Sequence, residues 1–299
     1  MKLQGVYTAL ITPFTENGLD TEGLRQNIQY QIKNGIDGIV LIGTTAESPT
    51  LSTEEKDQII RIGIEEAKGK CLVMVGTGSN CTKKTIAATQ KAKELGVDCA
   101  LVITPYYNRP TQDGIFQHFS AIANSVDLPL VIYNHEKRTG SNIEVETVVR
   151  IAEIPTVIGV KEANNDMNQM QETIERLARP KRGFSVLSGC DMDTLPTVAL
   201  GGDGIISVVS NLVPDQMKQL TDTALRGDMN LAREIHYHLS PLFKASGYES
   251  NPIPIKAAME MCGFAAGPCR APLGLLQPQY KSAMREVLEK LELLKLSVR

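Results

Sequence analysis

The sequence lacks clusters of basic residues and long apolar runs. Its 31 lysines and arginines are nearly balanced by 34 acidic residues, which leaves a formal net charge of -3. Nucleic acids and anionic membrane surfaces bind concentrated positive charge, so neither is a predicted partner. No segment approaches the roughly 20 consecutive apolar residues of a membrane span. The remaining expectation is small-molecule chemistry.

Targeting and disulfide signals are also missing. Residues 1–10 lack the charged, apolar and cleavage segments of a secretory signal, which predicts a cytoplasmic protein. The six cysteines contain no Cys-x-x-Cys pair, and Cys71, Cys99 and Cys190 adjoin apolar runs. Reduced cysteines packed in the core are therefore expected. The four histidines form no ligand cluster with cysteines or acids, so no metal or other cofactor is predicted.

Short, β-branched apolar runs alternate with longer stretches of helical period. Such runs are typical of parallel strands covered on both faces. We predict eight strands, over residues 6–11, 38–42, 72–75, 100–103, 130–133, 157–160, 185–187 and 204–208. No Gly-x-Gly-x-x-Gly motif follows the first strand, and the count of eight matches closure. The predicted fold is therefore an α/β (β/α)₈ TIM barrel.

Only helical patterns follow the eighth strand, over residues 224–244, 254–261 and 277–294. The barrel is therefore expected to carry a C-terminal helical extension. We predict two domains, residues 1–226 and 227–299, with the boundary near Arg226-Gly227-Asp228.

Active sites of such barrels lie at the C-terminal ends of the strands. Lys161 directly follows the sixth predicted strand, and its amine is expected to point into the barrel mouth. Poor hydration there disfavours the ammonium form and leaves an amine that can attack a ketone to form an imine. The alternative is a structural lysine paired with Glu162 at the rim.

Three other strand ends carry groups that suit a carboxylic-acid substrate. Tyr133 is a candidate proton carrier in the layer of Lys161, or a core aromatic. The Gly43-Thr44-Thr45 turn offers backbone N–H groups and hydroxyls to a carboxylate, or caps a helix. Arg138 presents a planar cationic fork suited to a carboxylate, or a surface ion pair. The Tyr106-Tyr107 pair is costly to expose unless it meets a ligand or a neighbouring subunit.

Three segments together resemble a known superfamily. They are Gly43-Thr44-Thr45-Ala46-Glu47-Ser48, Tyr133-Asn134 with Arg138-Thr139-Gly140, and Gly159-Val160-Lys161-Glu162-Ala163. Their order and placement resemble the dihydrodipicolinate synthase and N-acetylneuraminate lyase superfamily over nearly the whole chain. The resemblance implies a Schiff-base lyase. Its synthase branch condenses pyruvate with L-aspartate 4-semialdehyde in lysine and diaminopimelate biosynthesis.

The resemblance also implies roles for individual residues. Lys161 would be the Schiff-base lysine and Tyr133 the proton carrier. Thr44 and Tyr107 would complete a proton relay, with Tyr107 donated across a dimer interface. The implied assembly is a homotetramer, built as a dimer of dimers.

Four further residues would hold the substrates in this resemblance. Thr45 would bind the pyruvate carboxylate and Arg138 the carboxylate of the semialdehyde. Gly189 and Ile206 would line the pyruvate pocket. Arg138 favours the synthase branch, since sialic acid lyases generally lack an arginine there.

The chain departs from the family pattern near both substrates. Ala46 replaces a usual glycine, and His135-Glu136-Lys137 replaces a usual Val-Pro-Gly, which changes the charge beside Arg138. The lysine-inhibition site of sensitive relatives is matched only by Ser48, Asn80 and Tyr106. Thr53, Lys56 and Lys84 stand where those relatives carry histidines and a glutamate, so weak or absent feedback by L-lysine is expected.

Two other functions remain open from the sequence. A class I pyruvate aldolase of the N-acetylneuraminate lyase or keto-deoxy-gluconate aldolase type would keep Lys161 and change the acceptor. A non-catalytic keto-acid-binding barrel would need neither a nucleophilic amine nor a proton relay. Product analysis with several aldehydes, and trapping of the pyruvate adduct, would separate the three.

Overall fold

The computed structural model of the protein describes residues 1–164, 166–178 and 183–296. Its strands in chain order are β1 Gly5–Ala9, β2 Phe14–Thr15, β3 Gly18–Leu19, β4 Gly38–Leu41, β5 Leu72–Gly76, β6 Cys99–Ile103, β7 Leu130–Asn134, β8 Val157–Glu162, β9 Ser185–Ser188 and β10 Gly204–Ser207. Eight of them form a closed parallel barrel in the order β1-β10-β9-β8-β7-β6-β5-β4. The predicted barrel is confirmed.

Helices follow the barrel strands and surround the barrel. In chain order they are α1 Thr21–Lys33, α2 Thr53–Ala67, α3 Thr82–Leu95, α4 Gln112–Ser125, α5 Glu136–Thr139, α6 Val145–Ala152, α7 Met167–Thr173, α8 Thr194–Ala199, α9 Pro214–Leu225, α10 Met229–Ala245, α11 Ile253–Met261 and α12 Pro278–Lys290. Within the described residues, none of these helices combines the length and apolar character needed to cross a membrane.

The eight barrel strands lie within about two residues of the predicted runs, because those runs are apolar on both faces. The antiparallel hairpin of β2 and β3 was not predicted. Each of its strands has only two residues, too few for an alternating pattern to be visible. The hairpin matters to the site, because its Phe14 ring packs against two cations of the C-terminal region.

Local capping explains where helices begin. Ser52 caps α2 in a reciprocal capping box with Glu55, and the Thr111 side chain caps α4 by accepting from the Gly114 N–H. Both caps agree with the sequence. The predicted helix 224–244 is wrong at its start, because the chain breaks at Gly227, whose φ is +85°, and Asp228 caps the new helix α10.

The C-terminal helices share an apolar core with the barrel. One buried cluster joins Val6 and Ile205 of the barrel strands to Leu239, Ile255 and Met284 of α10, α11 and α12. The stabilising free energy of such a cluster is roughly proportional to the apolar area that it removes from water. The two predicted domains are therefore packed together, and the boundary at residue 226 remains a prediction.

The cysteines are free, and they do not all pack in the core. Cys99 and Cys262 are buried, as expected for small hydrophobic side chains. The expectation is wrong for Cys81, which is exposed, and for Cys190, which is half-buried and lines a cavity at the barrel mouth; Cys71 and Cys269 are also half-buried. Burial raises the pKa of the Cys190 thiol to about 12, so this thiol is not a competing thiolate nucleophile at neutral pH.

Candidate active site

Lys161 and Tyr133 lie side by side at the barrel mouth. They are register partners on β8 and β7. The Lys161 Nζ lies 4.4 Å from the centroid of the Tyr133 ring, and the two residues are only 5% and 6% exposed. A phenol held this close to an amine is suitably placed to exchange protons with groups attached to that amine.

The alternative of a rim ion pair between Lys161 and Glu162 is not seen. Glu162 follows Lys161 along the strand, and its carboxylate accepts from Asn134 Nδ2 at 3.0 Å and from Gln169 Nε2 at 3.0 Å. Across the described ranges, no carboxylate oxygen lies within 4.0 Å of the Lys161 amine. The amine is therefore available to a ligand, although it is buried.

Gly189 makes room for the lysine side chain. A Cβ built at this position would lie 3.0 Å from Lys161 Cε and 2.6 Å from the Ala163 Cβ, so no larger residue fits without a shift. Ile206 is fully buried in the inner barrel cluster that also contains Tyr133. Gly189 lines the cavity at Lys161, whereas a place for Ile206 beside the pyruvate pocket remains a prediction.

A cavity of about 260 Å³ opens directly onto Lys161. Its lining includes the predicted residues Thr45, Tyr133, Arg138 and Gly189. A second cavity of about 230 Å³ lies beside it and contains Thr44, and Tyr133 and Arg138 line both. The two cavities thus bring together six of the predicted residues from four different strand ends: Lys161, Tyr133, Arg138, Gly189, Thr44 and Thr45.

Asn251 was missed by the sequence analysis and lies in the cavity near Lys161. Its Nδ2 lies 2.8 Å from Thr45 Oγ1, and its backbone carbonyl accepts from an Arg138 guanidinium N–H at 3.5 Å. Because Thr45 Oγ1 accepts this bond, its own hydrogen can point elsewhere, including towards a carboxylate in the cavity. Asn251 therefore links the residues predicted for the two substrates.

Asp191 is a second residue that the sequence analysis missed. It is buried and accepts from Ser207 Oγ at 2.5 Å and from the Val208 and Val209 N–H groups at 3.2 and 3.3 Å. Burial raises its pKa, and these hydrogen bonds and the Lys161 charge oppose that rise. Its oxygens are thus already engaged with the protein.

The Thr44-Thr45 turn is braced by a buried ion pair. Glu47 has a left-handed φ of +57° and donates its N–H to the Thr44 carbonyl at 3.0 Å. Its carboxylate lies 2.9 Å from the Lys256 Nζ, with the two side chains 0% and 2% exposed. The Arg270 N–H donates to the other Glu47 oxygen at 2.8 Å. Two C-terminal residues therefore hold the strand-end turn in place.

Tyr107 and Asn80, two of the predicted site residues, line neither of these cavities. Tyr107 is 91% exposed, with a left-handed φ of +75°. Asn80 accepts from the Asn108 side chain through its backbone carbonyl at 2.8 Å. The exposure of Tyr107 fits the implied contact with a neighbouring subunit, which remains a prediction.

Most of the predicted effector-site residues surround a third cavity of about 510 Å³, which shares Ser48 and Tyr106 with the cavity that contains Thr44. Ser48, Tyr106, Lys56 and Lys84 line this third cavity, whereas Asn80 does not. Thr53 lines it as well, and the two lysines present cations where an amino-acid ligand would place its own ammonium. The expectation of weak feedback therefore has a structural reason.

We predict that millimolar L-lysine leaves turnover essentially unchanged. The ammonium groups of Lys56 and Lys84 repel the two ammonium groups of free lysine, and no acid replaces the missing partner at position 84. Initial rates measured over a series of L-lysine concentrations test this expectation. Half-inhibition at an L-lysine concentration below about one millimolar would contradict it.

Glu162 should make stability depend on pH. Burial raises the pKa of Glu162 to about 7, although hydrogen bonds from Asn134, Asn164 and Gln169 oppose the rise. From pH 4.5 to about 7 the folded chain keeps a proton that the unfolded chain has lost. The free energy of unfolding should therefore fall as pH rises, by up to about 1.4 kcal/mol per pH unit.

Urea unfolding of Glu162→Gln across this pH window tests the assignment. The variant should lose most of the slope, whereas Glu136→Gln, which alters an exposed acid nearby, should keep it. An identical slope in the parent and the Glu162→Gln protein would show that another group is responsible.

Comparison with known proteins agrees with this site. The model of the dihydrodipicolinate synthetase family matches residues 2–291. A 4-hydroxy-tetrahydrodipicolinate synthase of Protochlamydia amoebophila is 50% identical over 292 residues, with 97% of each chain covered. The synthase of Methanocaldococcus jannaschii is 46% identical, with 97% of this chain and 99% of the relative covered.

Solved structures agree with the sequence relatives. The dihydrodipicolinate synthase of Thermotoga maritima superposes with a TM-score of 0.96 at 40% identity, covering 98% of this chain and all of the other. The Aquifex aeolicus enzyme gives 0.94 at 44% identity, covering 97% and 99%. These matches confirm the predicted fold and the predicted activity as a Schiff-base-forming synthase. The chain belongs to the dihydrodipicolinate synthetase family.

Proposed function

We propose that Lys161 captures pyruvate as a Schiff base, which then condenses with L-aspartate 4-semialdehyde to give 4-hydroxy-tetrahydrodipicolinate. The observation that carries this proposal is the buried Lys161 amine. It has no carboxylate partner within the described ranges, faces a cavity and lies 4.4 Å from the centroid of the Tyr133 ring. A binding module would have no use for this combination.

The first half of the reaction makes the imine. The Lys161 nitrogen attacks the carbonyl carbon of pyruvate, the carbonyl oxygen takes up a proton, and the carbinolamine then loses water. Tyr133 is the group placed to deliver and remove these protons, with Thr44 in the adjoining cavity as its relay partner. Thr45, which accepts from Asn251, would direct its hydroxyl hydrogen to the pyruvate carboxylate.

The second half makes the carbon–carbon bond. Loss of a proton from the pyruvate methyl group gives an enamine, whose carbon attacks the aldehyde carbon while the aldehyde oxygen is protonated. The amine of the semialdehyde then attacks the imine carbon, and the bond from that carbon to Lys161 breaks. One water is released in total. Arg138 at the mouth of both cavities would hold the carboxylate of the semialdehyde.

We further propose that the working enzyme is a homotetramer in which Tyr107 enters the site of a neighbouring subunit. A tyrosine that is 91% exposed in a single chain is costly unless another surface covers it. A residue from a second subunit would complete the Tyr133 and Thr44 relay. Sedimentation analysis and the activity of Tyr107→Phe test the two parts of this proposal separately.

Borohydride trapping tests the reaction at its first step. The parent protein is incubated with pyruvate, reduced and digested, and the peptides are mapped by mass spectrometry. We expect one pyruvate-derived adduct, on Lys161. Product analysis with the semialdehyde, with N-acetylmannosamine and with glyceraldehyde then identifies the acceptor. If the pyruvate adduct forms but only N-acetylmannosamine or glyceraldehyde is consumed, the protein is an aldolase rather than the synthase. If no pyruvate adduct forms on Lys161, both assignments are overturned.

A further inference from the structure

The His135 side chain lines the cavity near Lys161, and its Nδ1 has no hydrogen-bond partner among the described residues. His135 follows Tyr133-Asn134 at the end of β7, and its ring centroid lies 6.0 Å from that of Tyr133. Its Nδ1 is shielded from solvent and unpaired, and no partner of either ring nitrogen is found in the described part of the chain. Buried polar atoms are nearly always paired, so an unpaired ring at a cavity wall points to a ligand.

The ring is neutral at physiological pH. Burial, together with the charges of Arg138, Lys161 and Lys137, lowers the pKa of His135 to about 4. A neutral imidazole has one nitrogen that donates and one that accepts a hydrogen bond. His135 is therefore the uncharged acceptor beside three cations of the site.

His135 and Arg138 belong to one turn of the chain. The N–H groups of Arg138 and Thr139 both donate to the His135 carbonyl, at 3.0 and 3.1 Å, which fixes the short helix α5 against β7. Both side chains line the same cavity. If Arg138 holds the α-carboxylate of the semialdehyde, the amino group on the same α-carbon lies close to the side chains that neighbour Arg138. His135 is one of these side chains.

The two carboxylates nearest the cavity are already hydrogen-bonded to the protein. The Asp191 oxygens accept from Ser207 and from two backbone N–H groups. The carboxylate of Glu162 is likewise bonded to Asn134 and Gln169. Two acceptors that line the cavity have no partner within the described residues, His135 Nδ1 and Asn251 Oδ1. An entering α-ammonium group could donate to either, but only the imidazole could also take up its proton.

We propose that His135 recognises the α-amino group of the second substrate and accepts its proton before ring closure. This proposal rests on the proposed function. In the step itself, the ammonium N–H bond breaks and imidazole becomes imidazolium. The free amine forms its bond to the imine carbon, and the departing Lys161 nitrogen takes up a proton as its bond to that carbon breaks. The neighbouring cations disfavour the positive charge on the ammonium and on the imidazolium alike. The transfer is drawn forward because the free amine is consumed by its bond to the imine carbon.

The test compares two acceptors that differ in the amino group alone. L-Aspartate 4-semialdehyde carries the amine, whereas succinic semialdehyde has the same aldehyde and carboxylate without it. In His135→Val, kcat/KM for L-aspartate 4-semialdehyde should fall about 10- to 100-fold, the range for a lost hydrogen bond to a charged group. Consumption of succinic semialdehyde, and borohydride trapping of pyruvate on Lys161, should change little.

Three controls keep the outcomes distinct. Glu136→Gln alters the exposed neighbour of His135 and should behave as the parent. His135→Asn offers an amide acceptor and should retain more activity than His135→Val. If His135→Val fails to trap pyruvate, the two aldehydes are compared in His135→Asn instead. An equal loss with both aldehydes would overturn the role of His135. Failure of the parent protein to trap pyruvate or to use the semialdehyde would instead overturn the proposed function.

Discussion

Lys161→Met is expected to abolish the pyruvate adduct and to lower turnover by roughly 10³-fold or more, as for loss of an essential nucleophile. Methionine has an unbranched chain of similar length, so it should fill the space between Tyr133 and Gly189 without the amine. The folded structure should survive, because Lys161 forms no ion pair within the described residues. Borohydride trapping and steady-state turnover provide the two readouts.

A matched variant separates chemistry from folding. Lys93→Arg alters an exposed lysine on α3, far from the strand ends, and should leave both readouts unchanged. The unfolding curve of Lys161→Met should stay close to that of the parent. Turnover near the parental level in Lys161→Met would exclude the Schiff-base mechanism, whatever the fold.

The barrel and its principal amine could be predicted because each depends on local sequence. Runs such as Leu130–Asn134 and Val157–Glu162 are apolar throughout, and a parallel sheet needs this pattern. The residues at the ends of these runs must meet at one face of a closed barrel. Lys161 and Tyr133 were therefore expected in the same layer, where the structure places them.

The supporting residues could not be predicted in this way, because their contacts join distant parts of the chain. Asn251 is 206 positions from Thr45, and Lys256 is 209 positions from Glu47. No strand-end rule applies to residues on a C-terminal loop or helix. One signal was visible in retrospect: Lys256 interrupts the apolar segment Ile253–Met261, and a cation in such a segment is expected to have a buried partner.

His135 was visible in the sequence for another reason. It was recognised as a departure from the family pattern, but its unpaired ring and its neutral state depend on burial and on the surrounding cations. Both properties come from the packed structure rather than from the segment Tyr133-Asn134-His135. A departure from a family pattern thus identified the position, and geometry supplied its chemistry.

The buried pair of Glu47 and Lys256 connects stability to the site. Lys256 donates to the Glu47 carboxylate and to the Thr12 and Pro268 carbonyls, at 2.9, 3.1 and 3.1 Å. Its Nζ also lies 4.5 Å from the Phe14 ring centroid. Because Glu47 bonds back to Thr44, the C-terminal region should influence the turn that is proposed to hold pyruvate.

Lys256→Met should therefore lower the free energy of unfolding by about 3–5 kcal/mol, the cost of leaving a buried charge without its partner. Adding Glu47→Gln removes that charge, so the double variant should be more stable than Lys256→Met alone, since replacing both members of a buried pair costs less than breaking it. Urea unfolding of the parent, the two single variants and the double variant gives the coupling free energy. The KM for pyruvate in Lys256→Met should rise more than kcat falls, because the Thr44-Thr45 turn loses its brace while Lys161 and Tyr133 are untouched. A coupling free energy near zero, with the two single-variant losses adding in the double variant, would show that the two side chains stabilise the chain independently.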